Sequence, residues 1–357
     1  MAPIPLPTAQ TTARLPDPFF FWQPFRPATD RLLDVLPFHD EYPALLRNCE
    51  QLAYLIRSYS VFSMTCAALG HPGGSFSEAE ALAVLYNYVL RFRAREPDWP
   101  MRDVFYLSKC HACPAHYVTL ALFGYFPLDQ LKFYGCWGSC LESHPDCTCT
   151  PGVEISGGSL GQIPGVAVGR ALALRRHGPE HNDRMVYVLM GDGELNEGAV
   201  WEAFMAAGHY ALDNLVLVID YNKVQAKGFV HLDMGIEPLR EKLAAFRLDT
   251  YEVKNGHNVG ELVDLFTNLR QRRRGRPLAV ILNTIKGKKV AECQFNPNWH
   301  TSAPRNAETA RLWLRELWEQ DGRRLGVPED FPEELYRAVE IVPPLHDNPD
   351  QIGEKQA

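Results

Sequence analysis

The sequence predicts an α/β fold: a doubly wound, mainly parallel sheet flanked by helices. Three observations carry that expectation. Two apolar runs, at 185–190 (MVYVLM) and 215–221 (LVLVIDY), read as buried strands on either side of a helical stretch over about 198–210, the pattern of a βαβ unit. Further apolar runs at 103–108 (DVFYLS) and 278–283 (LAVILN) alternate with helix-periodic segments, and such alternation places helices on both faces of a parallel sheet. The first central strand breaks at Gly191-Asp192-Gly193 and the second ends at Asn222. Both ends therefore share the sheet edge at which such folds bind ligands.

Taken in order, residues 1–45 are rich in proline and aromatics, with FFFW at 19–22, and read as an irregular arm lying on a surface. Phe19, Phe20, Phe21 and Trp22 suit either a partner interface or a satellite cluster on the chain's own domain. Leu52, Leu55, Ile56 and Tyr59 recur at helical spacing within 45–68, before the turn GHPGG at 70–74. Ser77, with Glu80 three residues later, predicts a capping box that opens a second helix running to about Arg95. After the 103–108 strand come a helix over 114–123, a loop rich in cysteine and glycine, the segment GGSLGQ at 157–162, and a helix to Arg176. Beyond the central unit, a helix over 260–274, the 278–283 strand and a helical, then loop-like, C-terminal region complete the chain. The basic run QRRRGR at 271–276 places cations at a helix C-terminus, where the dipole favours them. The expected division is an arm (1–45), an α/β domain (46–305) and an extension (306–357).

Composition points to an enzyme. With 357 residues, 46% of them hydrophobic and 22% charged, the chain can bury a large core. A net charge of -7 argues against nucleic acid, and the sequence shows neither a long apolar run nor the order of a signal peptide. The expected location is the cytoplasm. Six of nine cysteines cluster at Cys110, Cys113, Cys136, Cys140, Cys147 and Cys149. Their spacing allows a zinc reading, but no second CxxC completes the usual ligand set. Reduced thiols are the simpler expectation.

The chemistry gathers at the loops. Asp192 and Asn222 offer hard oxygen ligands for Mg²⁺ or Ca²⁺, and the helix N-terminus beside them favours an anion, most naturally a phosphate sharing the metal. The expectation is a site for a metal-bridged diphosphate. His71, His111, His144 and His300 fall on loops at the same edge, where imidazoles can donate to diphosphate oxygens and move protons near neutral pH.

GDG followed by Asn222 at the end of the next apolar strand resembles the thiamin diphosphate (ThDP) fingerprint. The chain as a whole resembles the N-terminal half of transketolases. GHPGGS (70–75), LSKCHA (107–112), ESHPD (142–146), TPGVEISGGSLGQ (150–162), GDGELNEG (191–198), DYNKVQAKG (220–228) and TIKGKKV through WHTSAP (284–304) come in that family's order. The resemblance implies that Asp192, Asn222 and the Val224 carbonyl ligate a divalent metal. It assigns His111 and the Gly193 backbone to the diphosphate, and Gly158, Ser159 and Leu160 to the thiamin. His71, His144 and His300 would face the ketose and the cofactor, while Glu197 and Glu202 would sit near a subunit interface and relay between sites. Too few residues follow Pro304 for the family's pyrimidine-binding domain. The resemblance therefore implies the N-terminal subunit of a split transketolase, inactive alone, with a separate C-terminal subunit in an α₂β₂ complex.

Cys110, Ile163 and Thr301 stand where the family commonly has glycine, and an added Cβ narrows the backbone's approach to a ligand. Either an unusual substrate or weakened catalysis would follow. Three functions are thus expected to compete: ketol transfer from a ketose or its phosphate to an aldehyde, another ThDP reaction by a heteromer (acyloin synthesis, or a 2-oxo-acid dehydrogenase α subunit), and a non-catalytic cofactor-binding subunit.

Overall fold

A computed structural model describes residues 15–25, 41–176, 183–271, 275–304 and 306–339. Among these residues five strands, β1 (Val104–Leu107), β2 (Val186–Gly191), β3 (Leu215–Tyr221), β4 (Asp249–Val253) and β5 (Leu278–Asn283), form one sheet in the order β1-β2-β3-β5-β4. Every pairing is parallel. Strand alternation sorts the side chains into two cores. Tyr187, Leu189, Val216 and Val218 face one, while Val186, Val188, Met190, Leu215, Leu217 and Ile219 face the other. Both faces are therefore covered, as a parallel sheet requires.

The first core is filled by the helix α1 (Tyr42–Ala67), which is buried along most of its length. It ends at Ala68, whose left-handed backbone (φ 49°) returns its N–H to the Met64 and Thr65 carbonyls. Two short helices follow, α2 (Pro72–Ser77) and α3 (Ala79–Val84), the latter running on as a π turn over Leu85–Val89. Then come α4 (Cys113–Leu122), α5 (Ile163–Arg176) and α6 (Gly198–His209). Between β3 and β4 lie α7 (Val230–Asp233) and α8 (Leu239–Ala245), and α9 (Val259–Gln271) links β4 to β5. Helices α5, α6 and α8 cover the second face.

Three local expectations need correction. Ser77 is not an N-cap: it closes α2, and its hydroxyl donates to Asp220 Oδ2 at 2.5 Å. Glu80 makes no capping box. It lies inside α3 with Arg57 Nη2 at 2.6 Å, because a buried guanidinium binds a carboxylate more strongly than a local backbone N–H does. The helix expected to reach Arg95 stops at Val89, since Leu90 turns extended and Arg91 is drawn to Asp103. Strand β4 lies outside the sequence-based expectation altogether. Its DTYEV has no apolar run because it is an edge strand, paired with β5 alone and mostly half-buried.

The described segments 15–25 and 306–339 meet on α1. Trp22 is buried and its indole N–H donates to Asn48, whereas Phe20 is exposed. Phe21 meets Phe331 edge-on at 5.3 Å. Helix α10 (Ala307–Leu317), capped by Asn306 through Thr309 N at 2.8 Å, adds Trp313, Leu314 and Leu317 to the same core as α1. Residues 272–274 of the basic run lie outside the described residues. Among the described residues, no helix is long and apolar enough to cross a membrane.

Candidate active site

Strands β2, β3 and β5 end in register, with Gly191 opposite Asp220 and Tyr221 opposite Asn283. The residues that follow each strand are thereby delivered to one edge. Asp192 is buried; its Oδ1 accepts from Gly193 N at 2.8 Å and its Oδ2 from the backbone of Lys223. Lys223 adopts a left-handed conformation (φ 74°) that folds the chain back after β3. That fold brings Val224 N onto Asn222 Oδ1 (3.2 Å) and aims the Val224 carbonyl at Lys286 Nζ (2.7 Å). A carboxylate, an amide oxygen and a carbonyl thus occupy one short arc.

The electrostatics of this arc favour a cation. Burial, and then the neighbouring Asp220, push the Asp192 carboxyl up to about 7. A buried acid under that strain accepts a divalent cation readily, and the donors are the hard oxygens that Mg²⁺ or Ca²⁺ prefers.

Beside it the four histidines converge. Ring centroids lie 5.1 Å apart for His71 and His111, 5.2 Å for His111 and His300, 5.6 Å for His71 and His300, and 6.3 Å for His71 and His144. Burial dominates their titration, lowering His71 to about 4, His300 to about 3, His111 well below its ordinary value, and His144 in the same direction. Burial thus favours the neutral form of each ring. Lys286 Nζ reaches His300 Nδ1 at 2.6 Å, so Nδ1 accepts and Nε2 carries the proton. Buried His71 Nδ1 has no hydrogen-bond partner within the chain and is free to meet a ligand.

Beneath the rings lies a charged floor. Lys109 pairs with Asp220 and, at 2.9 Å, with Glu78, and donates to the Gly74 carbonyl at 3.0 Å. Asp220 also accepts from Ser77, Thr284 and Asn222 Nδ2, and against burial, Lys109 with Ser77 and Thr284 holds its carboxyl low. Burial instead drives Glu78 up to about 8. One ammonium therefore answers one firm carboxylate. Glu194 ties three loops together, accepting from Ser108, from Gly161 N at 2.9 Å and from Gly191 N at 3.2 Å.

The 157–162 loop closes the edge. Gly158 lies against His144, where an added Cβ would come within 3.4 Å of the ring, and Ser159 is exposed beside it. Gly161 needs its positive φ of 81°, and a Cβ there would sit 2.6 Å from Glu197 Cβ. Glu197 is the N-cap residue of α6 and is exposed. It packs against Gly161 rather than joining the imidazoles. The buried Cys110 thiol donates to the Leu107 carbonyl and fills space opened by Gly157. All nine cysteines are free thiols, and no group of three or more His, Cys, Asp or Glu forms a metal site among the described residues.

Sequence reasoning missed Lys109, Glu78, Asp220, Glu194 and Lys286. Two of them carry a readable signal, since Asp220 interrupts the apolar run LVLVIDY and Lys109 directly follows the buried run DVFYLS. An ionisable group inside such a run is seldom buried without a partner.

Comparison with known proteins settles the family. Residues 49–341 match the family described as transketolase, thiamine diphosphate binding domain. The chain belongs to the transketolase family. It is 41% identical over 241 residues to the 6-deoxy-6-sulfo-D-fructose transketolase subunit SqwG of Clostridium sp. (strain MSTE9), covering 68% of this chain and 86% of that protein. It is 36% identical over 284 residues to an apulose-4-phosphate transketolase subunit of Actinobacillus succinogenes, covering 80% of this chain and 99% of that protein. The transketolase structure from Leishmania mexicana matches with a TM-score of 0.71 at 30% identity, over 82% of this chain but 44% of that one. The chain thus spans about half the length of single-chain transketolases and nearly the whole of the subunit-type relatives. It is the thiamin-diphosphate-binding, N-terminal part of a ThDP-dependent transketolase-type transferase.

Proposed function

We propose that this chain is the cofactor-anchoring subunit of a two-component transketolase, which moves a two-carbon ketol unit from a ketose or ketose phosphate to an aldehyde. The observation that carries this reading is the convergence of four imidazoles beside the Asp192, Asn222 and Val224 oxygens. Thiamin diphosphate, when bound, supplies the electron sink that lets a ketose C–C bond break. The chain's own residues bind, orient and move protons.

Asp192, Asn222 and the Val224 carbonyl would hold Mg²⁺ or Ca²⁺, and His111 with the Gly193 N–H would hold the diphosphate. Gly158, Ser159 and Leu160 would line the thiamin. His300 offers an Nε2–H donor because Lys286 occupies its Nδ1. His71, with Nδ1 unpartnered, and His144 would contact substrate hydroxyls, neutral rings being able both to accept and to return a hydroxyl proton. Glu197 and Glu202, both exposed at the start of α6, would face a neighbouring subunit.

The relatives are named as transketolase subunits, which supports a separate partner. We assign that partner the pyrimidine-binding domain, in an α₂β₂ complex. A cytoplasmic setting suits nine free thiols. Reconstitution tests the reading: the chain alone should transfer no ketol unit, and a co-expressed partner should confer ThDP- and Mg²⁺-dependent transfer. Robust transfer by the single chain, or a complex that turns over a 2-oxo acid and no ketose, overturns it.

A further inference from the structure

His257 lies outside the sequence motifs and outside the imidazole cluster, yet its ring is buried between two elements that build the site. Its Nε2 accepts from Ile285 N at 2.8 Å, and its Nδ1 lies 2.8 Å from Glu80 Oε2. Because a backbone N–H can only donate, Nε2 must be unprotonated, and the proton sits on Nδ1, directed at the carboxylate. Glu80 Oε2 is gripped from the other side by Arg57 Nη2 at 2.6 Å. Arg57 in turn donates to the Phe76 carbonyl through Nη2 (2.8 Å) and Nε (3.2 Å). The three side chains are 1%, 8% and 5% exposed for Arg57, Glu80 and His257. The chain of bonds is buried and directional.

Its two ends matter more than its middle. Ile285 immediately precedes Lys286, the residue that holds both the Val224 carbonyl and His300. Phe76 belongs to α2, the helix that follows His71 and carries Gly73 and Gly74. The two segments also touch directly, through Gly287 N on the Gly73 carbonyl at 3.0 Å. A Cβ on Gly73 would come 2.7 Å from Lys286 Cε, so the clearance between them leaves no room for drift.

We propose that Arg57, Glu80 and His257 form a buried positioning relay, which sets Lys286 and His300 against the His71 segment without touching cofactor or substrate. The inference rests on the cofactor site proposed above. Its physical basis is the one that governs the supports of metal ligands: groups one layer out fix tautomer and orientation, and losing them weakens binding.

The test is the affinity of the full chain for ThDP in the presence of Mg²⁺, measured by calorimetry. His257→Leu removes the acceptor for Ile285 N–H and should weaken binding about 10- to 100-fold. His257→Gln, which keeps an oxygen acceptor near that N–H, should restore affinity to near the parent value. Glu80→Gln keeps the volume and removes the charge that orients the ring, and should fall between. Unchanged binding by His257→Leu, or equal losses in the leucine and glutamine variants, overturns the relay. Asp192→Ala separates the two ideas: if that variant still binds as the parent does, the cofactor site itself is wrong. Nitrogen-15 NMR of the unsubstituted chain needs no variant to fold. It should show His257 in the Nδ1–H tautomer, and an Nε2–H tautomer also overturns the proposal.

Discussion

The floor and the rim of this site are built from the same kinds of residue and treat them in opposite ways. In the floor, Lys109, Asp220, Ser77, Thr284 and Asn222 satisfy one another, and Glu78 is driven up to about 8 by burial rather than left as a second firm charge. In the rim, His71, His111, His144 and His300 are lowered mainly by burial, and His71 Nδ1 has no partner at all. The floor stabilises the fold because its firm carboxylate, Asp220, is answered by Lys109 and three hydrogen-bond donors, while the Glu78 oxygens beside it make no hydrogen bond. The rim holds capacity in reserve for a ligand. The difference teaches which groups belong to folding and which to chemistry, although all of them are polar and sit at one sheet edge.

Substitutions can break that contrast. The largest expected effect is in the floor: Lys109→Met leaves Asp220 as a buried charge without its cation and should cost about 3–5 kcal/mol of stability, read by chemical denaturation. A loss no greater than that of a surface change would mean that Asp220 does not depend on Lys109. In the rim, His71→Ala should change stability by less than about 1 kcal/mol, because its Nδ1 makes no hydrogen bond to lose. The same variant should lower ketol transfer by the reconstituted complex about 10²-fold. The reverse pattern, lost stability with intact transfer, would place His71 in the structural class.

A further test lies in the acid limb. His71 is lowered from 6.5 to about 4, first by burial and then by His144 and Lys286. The unfolded chain therefore takes up a proton below about pH 6.5 while the folded ring stays neutral. This contribution is present in full above 6.5 and is lost as pH falls through about 4. Denaturation midpoints should decline across that window, less steeply in His71→Ala. Equal slopes would show that the ring is not desolvated.

Much of this was legible in the linear chain, for definite reasons. The runs at 103–108, 185–190, 215–221 and 278–283 are apolar because those strands are buried on both faces, so four of five strands could be read directly. Strand β4 could not, because an edge strand with DTYEV needs no apolar run. Glycine turns and loop histidines stand out in sequence for the same reason they work in space: the backbone must turn at the sheet edge. Ser77 and Glu80 show the opposite case. Their spacing satisfies a local capping rule, but Asp220, Arg57 and His257, all distant in sequence, offer stronger buried partners and win.

The sequence by itself determined the parallel α/β architecture, the oxygen donors at Asp192 and Asn222 and the four histidines, because period, turn chemistry and residue type are local properties. Only the tertiary structure decided that burial favours the neutral form of those imidazoles, that Lys286 sets the tautomer of His300 and that the Cys110 thiol donates to the Leu107 carbonyl. It alone showed that a floor of Lys109, Glu78 and Asp220 lies beneath. Desolvation and long-range partners fix those outcomes, and neither exists until strands far apart in the chain end side by side.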